Sequence, residues 1–261
     1  MEWAEEWSRA VINASSRKGW PLFSSKDFAS WYDLQLKYSN YPGILLKKIQ
    51  NRLDIRSTLL DIGAGTGAFA VPIAKTVRRV TAIEPSLAMS SIMAKKMNGL
   101  KNMHIINQWW EDISINDLGM HDTVIAANSL YRIKDIIPAL KKMISLAEKN
   151  IFIIMSCGSC FYHQIWQEFK KEQYCPAPSF IFLYNILCQL KILASIEMVK
   201  KTHSHIYKDI GQAADYWQAR LGLCPGQRDS LVNYLESRLM RKNGVLCLEE
   251  QGHDALIWYE K

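Results

Sequence analysis

The sequence predicts a doubly wound α/β fold, a mostly parallel sheet with helices on both faces. Three observations predict it. Short apolar runs of strand length alternate with segments whose apolar residues recur at helical spacing, the pattern of strand–helix–strand units. One of these units, Leu59-Leu60-Asp61-Ile62-Gly63-Ala64-Gly65-Thr66-Gly67-Ala68-Phe69, reads as a strand, a tight turn and a helix start. The chain has 261 residues, of which 49% are hydrophobic and 22% charged, enough for one substantial core.

Taken in order, strands are expected near 58–62, 80–84, 103–106, 122–127 and 150–155, and helices near 68–77, 86–98 and 133–147. The crossover at 111–121 is too short for a long helix. After the fifth strand the period changes. Residues 161–171 and 180–196 carry apolar residues at helical spacing, interrupted by Cys175-Pro176-Ala177-Pro178. Two more helices fit 209–221, ended by Gly222 and Pro225, and 227–242, ended by Asn243-Gly244. Val245–Leu248 and Ala255–Tyr259 then read as two strands joined by a turn around Gln251-Gly252-His253.

Composition excludes several classes. The opening Met-Glu-Trp-Ala-Glu-Glu-Trp is acidic where an export signal is basic, so a cytoplasmic location is expected. Residues 180–196 are the most apolar stretch, but they include Asn185, Gln189 and Lys191 and fall short of the roughly 20 residues of a membrane span. Of six cysteines, only Cys157 and Cys160 have metal-like or redox-like spacing, and no second close pair completes a zinc site. Ordinary reduced thiols and no metal are the reading. Tyr162, His163, His203 and His205 are candidate acceptor-side groups; the alternating His203 and His205, which lack a placed carboxylate in the sequence, read as a surface pair rather than a metal site. The formal charge of +7 lies mainly in residues 1–150, with 20 basic against 14 acidic residues; residues 151–261 hold 12 against 11. Lys47-Lys48, Lys95-Lys96 and Lys141-Lys142 fit solvated helix faces, and a nucleic-acid track is the competing reading.

The glycine turn carries the chemistry. Glycines admit positive φ and let a ligand approach without a Cβ in the way. Two ligand classes compete: a dinucleotide, through Gly63, Gly65 and Ala68, and S-adenosylmethionine (SAM), through Gly63, Gly65 and Gly67. Asp61, two residues before the first glycine, would repel a pyrophosphate and suits a cofactor with an ammonium and a sulfonium. Glu84, at the end of the second strand, is placed to accept ribose hydroxyls.

With these residues quoted, the segment from 58 to about 155 resembles the class I SAM-dependent methyltransferases. Leu60–Gly67 resembles the first family motif, with Asp61, Gly63, Ala64, Gly65 and Gly67, and Ala82–Ser86 the second, with Glu84 and Pro85. Trp109-Trp110-Glu111-Asp112 resembles the segment that lies beside the adenine, which implies cofactor contacts from Trp110 and Glu111. Asp122–Ile133 resembles the fourth-strand segment, where Asn128 would reach the cofactor and Tyr131 the acceptor; Tyr131 and Arg132 stand where two histidines are common. Phe28–Asp33 and Tyr41-Pro42 resemble the N-terminal lid of the small-molecule branch, with Tyr32 and Tyr41 closing over the methionine end.

The resemblance implies a Rossmann-like sheet of seven strands that closes with an antiparallel C-terminal pair. The expected organisation is an N-terminal helical lid (1–57), a SAM-binding core (58–159), a helical insertion over the acceptor (160–242) and closing strands (243–261). It implies an enzyme that transfers the methyl group of SAM by in-line displacement to a small molecule and leaves S-adenosylhomocysteine. A methyltransferase of RNA or tRNA, or a non-catalytic SAM-binding partner protein, are the alternatives; Asn128-Ser129-Leu130-Tyr131 lacks the two prolines typical of base-amino methylation.

Overall fold

A computed structural model describes residues 2–15, 25–157, 161–242 and 244–261. Cys160 and Asn243 fall outside them. The chain begins with helices α1 (Trp3–Ser15), α2 (Lys26–Lys37) and α3 (Gly43–Gln50). Strand β1 (Thr58–Ile62), helix α4 (Ala70–Ala74), β2 (Arg79–Ile83), α5 (Leu87–Lys96), β3 (Met103–Ile106), β4 (His121–Ala127), α6 (Ile136–Leu146) and β5 (Ala147–Cys157) follow. Then come α7 (Phe161–Lys170), α8 (Phe180–Gln189), β6 (Ser195–Tyr207), α9 (Ile210–Leu221), α10 (Arg228–Glu236), β7 (Met240–Lys242) and β8 (Val245–Glu260).

One sheet of eight strands runs in the order β3-β2-β1-β4-β5-β8-β6, with β7 paired to β8. β1 to β5 pair in parallel, and β8 is antiparallel to β5, β6 and β7. β1 is buried along its whole length because helices cover both faces, which is why Thr58–Ile62 is an apolar run rather than an alternation. One face of the sheet packs on α1, α6 and α8, the other on α3 and α4. Trp7 of α1 is fully buried there and donates its indole N–H to the Ile133 carbonyl at 2.7 Å. Thus α1 belongs to the core, and α2 is the helix of the expected lid that lies near the strand ends.

Two expectations are corrected. The stretch 160–242 is not all helical: the helix expected over 180–196 stops at Gln189, and β6 occupies 195–207. Nor is there a turn at Gln251-Gly252-His253, since β8 runs unbroken from Val245 to Glu260. The two corrections share one cause. Gly252 pairs with Lys201, so the long β6 supplies the partner that holds these turn-forming residues extended. The antiparallel partner of β8 is therefore β6 on one side and β5 on the other. The last helix likewise ends at Glu236, and β7 follows it.

β8 and β6 extend past the end of β5, where Cys157 pairs with His253. The projecting ribbon, residues 201–207 and 246–252, stands above the carboxyl ends of the parallel strands. α7, α9 and α10 pack round its tip in a third core containing Phe161, Trp166, Tyr207, Trp217, Leu231 and Leu248.

Candidate functional site

The site begins with the backbone after β1. Gly63, Gly65 and Gly67 have φ of 72°, 59° and 83°, a conformation that costs an L side chain about 1–2 kcal/mol. Gly63 has a second reason to be glycine. A Cβ there would come within 2.3 Å of the Ser129 Cβ, because Ser129 closes on β1 by donating its hydroxyl to the Ile62 carbonyl at 2.6 Å. At Gly67 a Cβ would meet Val71 and Met93; at Gly65 it would meet nothing within 4 Å. Gly63 and Ala64 donate their N–H groups to the Ile83 carbonyl, at 2.8 and 2.9 Å.

Glu84 follows β2 and spans the turn. Its carboxylate accepts from the Gly65 N–H and the Ser86 N–H, both at 2.8 Å. Burial raises its pKa, opposed by these two N–H groups and by the charge of Arg132. Pro85 lies half-buried beside it, and Ser86 caps α5. Asp61 is 1% exposed. Burial, then the charge of Glu84, pushes its pKa up to about 7, against the N–H of Ala70. Among the described residues it has no ion-pair partner. A buried acid in this state fits a cationic ligand group.

Asn128, just past β4, has φ of 53° and is the hub of the next part. Its Oδ1 accepts from the Tyr131 hydroxyl at 2.6 Å and from the Ser156 N–H at 2.9 Å. The Ser156 N–H also reaches the Tyr131 oxygen at 2.7 Å, and Asn128 Nδ2 stands 3.5 Å from the Tyr41 hydroxyl. Tyr131 thus has both its proton and its oxygen engaged by the ends of β4 and β5, and burial holds its pKa well above the usual phenol value. Tyr41 packs edge-on against Phe69 of the glycine turn, with ring centroids 5.5 Å apart. Tyr32, on α2, has its pKa pushed up to about 12 by burial and then by Glu84. Lys96 of α5 holds α2 to the turn by bonding Asp33 and, at 3.1 Å, the Thr66 carbonyl.

The structure therefore gathers Asp61, Gly63, Ala64, Gly65, Gly67, Glu84, Pro85, Asn128, Tyr131, Tyr41 and Tyr32 at the carboxyl ends of β1, β2 and β4. Trp110 departs from expectation. Its indole is buried in the α6 side of the core and donates to the Ala139 carbonyl at 3.2 Å, and the Lys142 ammonium lies 4.2 Å from its ring centroid. The exposed aromatic of that loop is Trp109, with Glu111 on the surface beside it.

The residues that the sequence did not single out, Ser156, Lys201, Glu250 and Asp254, lie on β5, β6 and β8 beside His203 and His205. Asp254 Oδ1 accepts from the Ser156 hydroxyl and from the Lys201 ammonium, both at 2.9 Å. His205 Nε2 meets Glu250 at 3.0 Å, and Glu250 also receives the Phe161 N–H. Despite burial, His205 and that N–H keep the Glu250 pKa low, whereas burial and the charges of His205 and Lys201 take His203 down to about 4. The alternation of 197, 199, 201, 203 and 205 was the available signal, since it places these side chains on one face of a strand.

With this geometry in hand, comparison with known proteins places the domain. Residues 59–150 match the model of a methyltransferase domain. That segment is a methyltransferase domain. The cofactor of such a domain is SAM, and a buried unpaired acid beside an open, glycine-lined turn fits it. An uncharacterised protein of Haemophilus influenzae is 28% identical over 167 residues, covering 63% of this chain and 60% of its own length. The match thus spans less than two thirds of that relative. A candidate methyltransferase of Bacillus halodurans superposes with a TM-score of 0.57 at 13% identity, covering 83% of this chain and 98% of its own. The SAH complex of DhpI gives a TM-score of 0.51 at 16% identity, over 75% of this chain and 91% of that one. These likenesses establish the methyltransferase fold. Among the described residues no helix is long and apolar enough to cross a membrane.

Proposed function

We propose that the protein uses this domain to methylate a small molecule from SAM, with the acceptor covered by α2 and by the helices around the β6–β8 ribbon. The observation that carries the reading is the junction of the glycine turn with its two acids: Glu84 fastened to the Gly65 N–H, and Asp61 buried without a cation. SAM brings its own electrophilic methyl and leaving group, so the protein's work is to bind, orient and exclude water. Asp61 would meet the ammonium side, Glu84 the ribose hydroxyls, and Glu111 with the exposed Trp109 of the next loop the adenine. The lid residues Tyr32 and Tyr41 stand over the turn, and Tyr131 with Asn128 fixes the ends of β4 and β5 against it.

An RNA acceptor is the weaker reading. An open groove of about 650 Å³ is lined by Arg78, Arg79, Lys101 and His104, but it lies at the amino ends of β2 and β3. The glycine turn follows the carboxyl end of β1, so this basic groove is at the opposite end of the strands. A cytoplasmic setting accords with the small-molecule reading.

Calorimetric titration with SAM, S-adenosylhomocysteine and NAD tests the proposal. Binding of the two adenosyl ligands alone is expected, with D61A weakening SAM by tenfold or more. Binding of NAD, or of none of the three, would falsify it.

A further inference from the structure

Lys141 and Lys142 are neighbours on α6, and their side chains differ. Lys141 is exposed, whereas Lys142 is turned into the loop that follows β3. Its ammonium bonds the carbonyls of Trp110, of Ile113 at 2.9 Å and of Glu111 at 3.4 Å. An ammonium has three N–H donors, so all of them are engaged by one backbone turn. The carbonyls belong to a short 3-10 turn, Trp110–Asp112, and to the residue after it, and such a turn cannot satisfy its own last carbonyls. Among the described residues no carboxylate lies within ion-pair distance of Lys142. Burial lowers its pKa, opposed by the charges of Glu111 and Asp112. The start of the loop is held as well. Asn107 Nδ2 donates to the Glu84 carbonyl at 2.9 Å and to the Ser90 hydroxyl at 2.7 Å. Residues 107–113 are thus tied to Glu84 at one end and to α6 at the other, while Trp109 and Glu111 between the anchors stay exposed.

We propose that Lys142 is the positioning residue that holds Glu111 for the 6-amino group of the adenine, and so sets a preference for adenine over hypoxanthine in the cofactor. The inference rests on the reading above that this loop meets the adenine. The two exposed side chains differ in what they can distinguish. An aromatic ring such as Trp109 stacks on either purine, because each has a π-face. A carboxylate tells them apart: it accepts from the 6-amino group of adenine and repels the 6-oxo group of hypoxanthine. That discrimination requires the carboxylate to stay in one place, which an exposed glutamate on an untethered loop does not do. Lys142 supplies the tether, since it bonds the carbonyl of Glu111 itself and those of Trp110 and Ile113 on either side. Without the ammonium these carbonyls turn to water, and the described bonds from the loop to α6 reduce to that of the Trp110 indole.

The test is calorimetric titration with S-adenosylhomocysteine and with S-inosylhomocysteine, its 6-oxo analogue. The wild-type protein is expected to favour the adenosyl ligand by about tenfold or more. In K142M, whose stem still covers Trp110, the adenosyl ligand should weaken by about tenfold while the inosyl ligand stays within about threefold, so that the preference disappears. E111Q should also remove it, since an amide serves either base. The double variant K142M/E111Q should then show the same ratio of affinities as E111Q alone. Independent losses would instead multiply and invert the preference, and the proposal would be wrong. If Lys142 only braces the fold, K142M lowers the unfolding midpoint and weakens both ligands equally with the preference intact, which also overturns the proposal. K142Q, whose shorter amide cannot span the same carbonyls, carries the same expectation where K142M does not fold. Wild-type protein that binds the two ligands alike overturns the adenine reading of the loop, and the proposal with it. Wild-type protein that binds neither overturns the cofactor reading, on which both depend.

Discussion

The two halves of this sheet solve different problems with the same hydrogen bonds. In the parallel half, β1 to β5, the central strand β1 is buried along its length, and the candidate site residues gather where β1, β2 and β4 end. In the antiparallel half, β8 and β6 run for 16 and 13 residues, and their upper parts extend past the end of β5. There the ribbon is a scaffold for its own core. Lid residues dock on it as well: Gln35 bonds both backbone groups of Ile206, and Asn40 bonds Thr202. The parallel half fixes the cofactor turn by backbone geometry, with three glycines at positive φ. β6 and β8 present the side chains of Lys201, His203, His205, Glu250 and Asp254 on one face.

The sharpest way to break this comparison is W217A. Trp217 is buried against Phe161, Tyr216 and His205 in the ribbon's core. Its truncation is expected to cost about 3–5 kcal/mol of stability by denaturant unfolding, while SAM affinity at low temperature stays within a few fold. Loss of SAM binding in folded W217A would show that the halves are not separable.

The complementary pair is G63A and G65A. Both positions have positive φ, but only at Gly63 does the new Cβ meet Ser129. G63A is expected to destabilise by about 2–4 kcal/mol, strain and clash together, and to abolish measurable SAM binding. G65A should cost about 1–2 kcal/mol. Equal unfolding free energies for the two would mean that the Ser129 contact has no weight.

The smallest effect sharpens the electrostatics. The Asp61 pKa near 7 lies above its unfolded value, so the folded state favours the protonated acid. Stability of the ligand-free protein should therefore fall as pH rises from about 4 to about 7, with the loss complete above it. A cationic ligand group favours the ionised acid, so binding below pH 7 must expel a proton. SAM affinity is expected to drop as pH falls through 7, by at most about tenfold per pH unit. Calorimetry at pH 6 in two buffers of different ionisation enthalpy should show proton release, and D61N should show none.

The comparison also separates what could be read in the sequence from what could not. The strands β1 to β5 and the turn between Asp61 and Gly67 are local features: apolar runs bounded by glycines and acids, each closed by neighbours in a short crossover. The ribbon was misread because its signals point two ways. Ile192 to Met198 continues an apolar helical pattern, and Gln-Gly-His at 251–253 has turn composition. Only the pairing of Lys201 with Gly252, between segments some fifty residues apart, decides that both are strand. Trp110 was misplaced for a similar reason, since an aromatic in a loop reads alike whether it faces a ligand or fills a core. The packing of α6 over it settles the matter.

By itself the sequence determined the doubly wound α/β class, the methyltransferase turn and the acids that flank it, because these depend on residue type at short range. The tertiary structure alone decided that Asp254 lies buried beside Ser156 and Lys201, next to the end of β4. Burial and the choice of partner across a sheet are set by the whole packing, and no local pattern around Asp254 contains them.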